Sequence, residues 1–237
     1  MNPEQSTALL KVITELIGIL VWPIVVLIVL VRFGPALREF FGSLGELTFK
    51  AAGVEATAKR RQAEAAAALG AALATNPSTT SETRVHSAEQ AREVANIVAE
   101  HVNAKTLNQV EGSRVLWVDD RPTNNTFERR SLEALGIRFD ISISTEDALS
   151  QLESNSYDVI ISDMSRPPES IAGYTLLKTM RERGIRTPFI IYAGSNLPEH
   201  RQEARRHGAI GSTNRADELF ELVLSTVRNN RMSRRDM

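Results

Sequence analysis

The stretch RVLWVDDRPTNN, Arg114 to Asn125, decides how this chain is read. A short apolar run, Val115 to Val118, stops on two adjacent carboxylates, Asp119 and Asp120. Further along, YDVIISDMSRPP, Tyr157 to Pro168, repeats the pattern: apolar residues end on Asp163. Apolar runs this short, rich in β-branched residues and closed by turn-forming residues, read as buried strands.

Working outward, strand and helix patterns alternate from residue 114 to 229. VLWV is followed by a helix over Thr123 to Leu135, with Phe127, Leu132 and Leu135 at helical spacing. RFDISIS (Arg138 to Ser144) is a second strand and Thr145 to Leu152 a second helix. DVIIS precedes a helix over Gly173 to Arg183, and PFIIYA one over Glu199 to His207. AIGS is a short fifth strand before a closing helix over Asp217 to Val227. Such alternation predicts an α/β domain, a five-stranded parallel sheet with helices on both faces.

In sheets of this kind the ligand sits outside the carboxyl ends of the strands, where the winding changes direction. With the flavodoxin-like order 2-1-3-4-5, the first and third strands are neighbours. Asp119, Asp120 and Asp163 then converge, and their mutual repulsion calls for a positive charge. Mg²⁺, a hard cation that takes oxygen ligands and keeps several waters, is the expected cofactor.

VLWVDD, YDVIISDM and TPFIIYAG together resemble the receiver domain of two-component response regulators, the CheY-like fold. The resemblance implies that Asp119 and Asp120 hold Mg²⁺ and that Asp163 is the phosphoacceptor, also touching the metal. It implies a histidine kinase as donor and a downstream effector as partner. Pro167, four residues past Asp163, fits the family's loop. Two positions depart from the family and mark the domain as degenerate. Ala193 stands where the fourth strand should end in Ser or Thr, with Ser195 two residues on. No lysine follows Lys178 to serve the end of the fifth strand, where GAIGSTNRAD offers Ser212, Thr213, Asn214 and Arg215. Ser195, Ser212, Thr213 and Arg215 are therefore the candidates for phosphoryl contact. An arginine there would not replace a compact ammonium charge.

The N-terminal part reads differently. Leu16 to Val31, LIGILVWPIVVLIVLV, has no charged residue; extension back to Leu9 adds only Lys11 and Glu15. At 1.5 Å per residue the longer stretch spans roughly 35 Å, enough to cross a bilayer core. Residues 1–34 are thus expected to form a single transmembrane anchor. Arg32, Arg38 and Lys50 follow it, which places the rest of the chain in the cytoplasm of an inner-membrane protein. Residues 35–75 read as a juxtamembrane amphipathic and Ala-rich helical segment. Residues 76–113 read as a linker and helix, residues 114–229 as the self-contained receiver-like domain, and 230–237 as a basic tail. A helical spacer is the plainer reading of the middle third and a homo-oligomer contact the sharper one.

The chain has no cysteine, which excludes disulfides and thiolate chemistry, and its net charge of -1 argues against a nucleic-acid coat. The function expected is a membrane-tethered receiver-like signalling or interaction protein, with inefficient switching at Asp163. The alternatives are a pseudo-receiver scaffold, never phosphorylated, in a stress or phage-defence system, and a hydrolase on the same fold. For a hydrolase, Asp119-Asp120-Arg121 lacks the Asp-x-Asp that an aspartyl phosphohydrolase places after its first strand, so an enzyme is not expected.

Overall fold

The computed structural model describes residues 53–75, 86–195 and 197–235. The chain divides into two compact units, Met1–Val54 and Glu55–Met237, and the second carries all that follows. The anchor expected at 1–34 lies outside the described residues. Among the described residues, no helix is long and apolar enough to cross a membrane.

Five parallel strands form one sheet in the order β2-β1-β3-β4-β5. They are β1 (Arg114–Val118), β2 (Arg138–Ser142), β3 (Val159–Ser162), β4 (Phe189–Tyr192) and β5 (Gly211–Thr213). β3 and β4 are buried at every position, which is why they read as unbroken apolar runs. Edge strand β2 is the most open, and it carries Arg138 and Asp140 among its apolar residues. It stops at Ser142, short of the expected Ser144. The Ser142 hydroxyl turns to donate to the Ser144 carbonyl, and the Ser144 side chain caps the next helix by accepting from Asp147 N–H.

Helices cover both faces. Helix α1 occupies 53–75, followed by α2 (His86–His101), α3 (Ala104–Val110), α4 (Thr126–Glu133), α5 (Thr145–Ser154), α6 (Ala172–Glu182), α7 (Pro198–Arg206) and α8 (Ala216–Arg235). Leu116, Ile160 and Ile191 face α5, α6 and α7 in one core layer, with Leu176, Leu177 and Met180. Val115, Trp117, Ile161 and Ile190 face the other layer, with Leu132 of α4 and Phe220 and Val223 of α8.

That second layer does not end at residue 114. Ala58, Ala65, Leu69 and Ala72 of α1, Val94 and Val98 of α2, and Leu107 and Val110 of α3 are buried in the same core. The small apolar positions of α1 recur at helical spacing and let its backbone approach the domain closely. Arg61 pairs with Glu111 at 2.8 Å, and Gln62 donates to the Val102 carbonyl. The described parts of the stretch expected to be a spacer, within 53–75 and 86–113, thus belong to the body that holds the sheet, while 35–52 and 76–85 lie outside the described residues.

Two C-terminal boundaries also differ. β5 begins at Gly211 rather than Ala209, because Ala209 N–H still closes the end of α7 on the Ala204 carbonyl. Helix α8 runs past the expected end at Val227 and through most of the expected basic tail, to Arg235. Val227 is fully buried, and Arg231 beyond it donates to the carbonyls of Gln109 and Glu111. The arginine that looked like solvated tail ties α8 to α3.

Candidate functional site

The strand ladder sets the site. Asp119 N–H donates to the Ser142 carbonyl and Asp163 N–H to the Val118 carbonyl, both at 2.9 Å. These bonds extend the β1–β2 and β3–β1 pairings one step past the strands, so both aspartates leave the sheet at its carboxyl edge. Asp119, Asp120 and Asp163 each place a carboxylate oxygen within 4.8 Å of the others.

Each acid is held differently. Asp119 is 6% exposed; one oxygen accepts from Arg121 N–H at 2.7 Å and the other from Asn125 Nδ2 at 2.5 Å. Asp163 accepts from Met164 N–H at 2.7 Å. Burial pushes its carboxyl above the usual range and the charge of Asp119 pushes it further. Backbone N–H groups of Met164 and Ser165 and the nearby Arg166 oppose that rise. Asp120 Oδ1 is buried with no hydrogen-bond partner among the described residues. A buried oxygen without a donor is expensive unless a cation serves it. The donor set fits a hard divalent ion such as Mg²⁺, which Asp119, Asp120 and Asp163 would hold.

A cleft of about 700 Å³ opens over the cluster, lined by Asp119, Asp163, Asn125, Glu128, Ala193 and Asn214 among others. Ala193 leaves the end of β4 without a hydroxyl there. The candidates Ser195, Ser212, Thr213 and Arg215 do not line this cleft. Ser195 Oγ meets His200 Nδ1 at 2.8 Å on the surface. Ser212 and Thr213 line a separate groove between α7 and α8, and Thr213 donates to Glu218 at 2.6 Å. Arg215 is paired with Asp217, and that bond holds its guanidinium above the usual range. Asn214, the neighbour of Arg215, is the β5-end residue that reaches the cleft.

Two further residues belong to the site. Glu128, on α4, is 6% exposed, accepts from Tyr192 Oη at 3.0 Å, and is raised by burial. The helix that carries it was expected, but nothing in the sequence marked Glu128 as an acid turned inward. Arg166 is 4% exposed beneath the Asp163 loop. Its sequence signal was an arginine before two prolines, which reads equally well as an exposed turn.

Residues 115–215 match the family described as the response regulator receiver domain. With the fold and the acid cluster in place, this segment is a receiver domain. Over 104 residues the chain is 29% identical to the sensor histidine kinase RcsC of Salmonella typhimurium, covering 44% of this chain and 11% of that protein. Over 122 residues it is 29% identical to a gliding motility regulatory protein of Myxococcus xanthus, covering 51% and 15%. The chain therefore spans only a small part of these relatives' length. Among solved structures, the receiver domain of the Francisella response regulator 1452 is 25% identical with a TM-score of 0.45, over 50% of this chain and 98% of that one.

Proposed function

We propose that this receiver domain accepts a phosphoryl group on Asp163 and signals through protein contact. The observation that carries the reading is the approach of Asp119, Asp120 and Asp163 within 4.8 Å at the ends of β1 and β3. A bound Mg²⁺ would offset the negative charge of the transferring group. Asp163 supplies the attacking carboxylate oxygen; the bond from phosphorus to the donor's imidazole nitrogen breaks as the new P–O bond forms. Asp119 is fixed by Arg121 N–H and Asn125, so it keeps its orientation while the charge in the cleft changes.

The switching half is weaker in this reading. A phosphoryl group on Asp163 meets neither a hydroxyl at Ala193 nor the charge of Arg215, which is engaged by Asp217. Occupancy of the phosphorylated state is therefore low. The same observation favours a second reading, a pseudo-receiver that is never phosphorylated and serves as an interaction module. Incubating the full chain with acetyl phosphate and Mg²⁺ separates the two: a single phosphoryl group lost in Asp163→Asn supports transfer, and no addition at all leaves the scaffold.

The uncharged run Leu16 to Val31 supports single-pass tethering to the inner membrane with the receiver domain in the cytoplasm. A reporter fused after Met237 should be active only as a cytoplasmic type; release of the protein by alkaline carbonate would contradict the anchor.

A further inference from the structure

We propose that Arg166 is the internal counter-charge of the acid cluster and the residue that positions the Asp163 loop. The inference rests on the reading of that cluster as a cation site.

The contacts of Arg166 come from four places. One terminal nitrogen donates to Ser162 Oγ at 2.6 Å and to the Asp163 carbonyl at 2.7 Å. The other donates to Thr145 Oγ1 and to the Ala172 carbonyl, both at 3.1 Å. The end of β3, the phosphoacceptor loop, the start of α5 and the start of α6 are thus drawn onto one guanidinium. All four acceptors are neutral, and Nε has no partner among the described residues. A buried cation served only by neutral acceptors would carry a large desolvation cost.

The offset comes through space. Burial pushes the guanidinium below its usual range, and the charges of Asp163, Asp119, Asp120 and Glu169 oppose that fall. The β5 end provides no such charge, because Arg215 is spent on Asp217 and Glu218. Exposed Arg121 pairs with Asp120 at 3.6 Å from the solvent side; inside the fold, positive charge reaches the acids from the loop after β3. Arg166 and a divalent cation then draw on the same carboxylates, and the arginine sets how tightly the metal is held.

The test measures Mg²⁺ affinity and thermal stability of the full chain for the wild type, Arg166→Gln and Arg166→Lys. Arg166→Gln should melt lower in EDTA, recover most of that loss with Mg²⁺, and bind Mg²⁺ about tenfold more tightly. Arg166→Lys should keep the wild-type Mg²⁺ dependence. An equal loss with and without Mg²⁺, at unchanged affinity, would reduce Arg166 to a hydrogen-bonding strap and overturn the counter-charge. If Arg166→Gln fails to fold, the charge-balanced Asp163→Asn/Arg166→Gln chain decides. Recovery of its melting point in EDTA supports the inference, and damage equal to the single variant refutes it. That arm needs no metal, so a wild type indifferent to Mg²⁺ would sink the cation reading of the cluster separately.

Discussion

Tyr192, the last residue of β4, donates its phenol to the buried carboxylate of Glu128 on α4 at 3.0 Å, on the wall of the cleft above Asp119. The bond ties the strand that leads into Ala193 to the helix behind the acid cluster. Tyr192 also meets Trp117 edge-on at 5.8 Å, so the same side chain anchors core and cleft.

Removing the phenol should therefore cost more than its size. Tyr192→Phe leaves Glu128 buried without that donor, at about 1–3 kcal/mol. Chemical denaturation at neutral pH checks this, and a second change, Glu128→Gln, should recover part of the loss.

The pH dependence follows from the same group. Burial raises Glu128 and Asp163 above the ordinary carboxyl range. The folded state then holds protons that the unfolded chain has released. Their contribution is fully present below the ordinary carboxyl pKa, about 4, and is lost as pH rises through the raised folded values. Melting scans without divalent cation, from about pH 4 to pH 7, should show a smaller decline for Glu128→Gln than for the wild type.

Gly173, the second residue of α6, packs against the Asp163 loop. A Cβ there would lie 3.0 Å from the Asp163 carbonyl oxygen and 3.2 Å from Met164 Cα, both backbone atoms. Gly173→Ala should push the loop aside, destabilise the fold by about 1–3 kcal/mol, and weaken Mg²⁺ binding. A variant with wild-type stability and affinity would show the contact to be slack.

The N-terminal helices should matter as core. Leu69 is fully buried, and Leu69→Ala should cost about 2–5 kcal/mol. A fragment starting at Arg114 should unfold at lower denaturant than one starting at Glu55, since it loses the buried core residues that α1 to α3 contribute. Equal midpoints would contradict that packing.

A hydroxyl placed at residue 193 tests the weak switching proposed for this site. Ala193→Thr should raise the phosphorylated fraction, since a hydrogen bond to a charged group contributes about 1.5–3 kcal/mol, roughly ten- to hundredfold in occupancy. Intact-mass measurement after acetyl phosphate treatment reads it directly.

The sheet was legible because each strand is a short apolar run bounded by turn chemistry, and the acids because they punctuate those runs. What escaped depended on contacts between distant segments. Leu69 and Val98 looked like spacer residues because the core they join, α8 included, is built from segments far along the chain. Arg231 read as tail for the same reason, its acceptors being carbonyls of α3. Arg166 was hidden by its loop: a charged residue beside Pro167 and Pro168 suggests solvent, and only the packed loop shows the guanidinium turned inward. Arg215 held the expected position, but Asp217, two residues on, competes for it.

The three aspartates are proposed to make a metal-dependent phosphoryl site. Fluorine NMR of the full chain with beryllofluoride tests it most directly. Bound resonances should require Mg²⁺, vanish in Asp163→Asn and sharpen in Ala193→Thr. Bound resonances that persist in Asp163→Asn, or none in the wild type at saturating Mg²⁺, would contradict it.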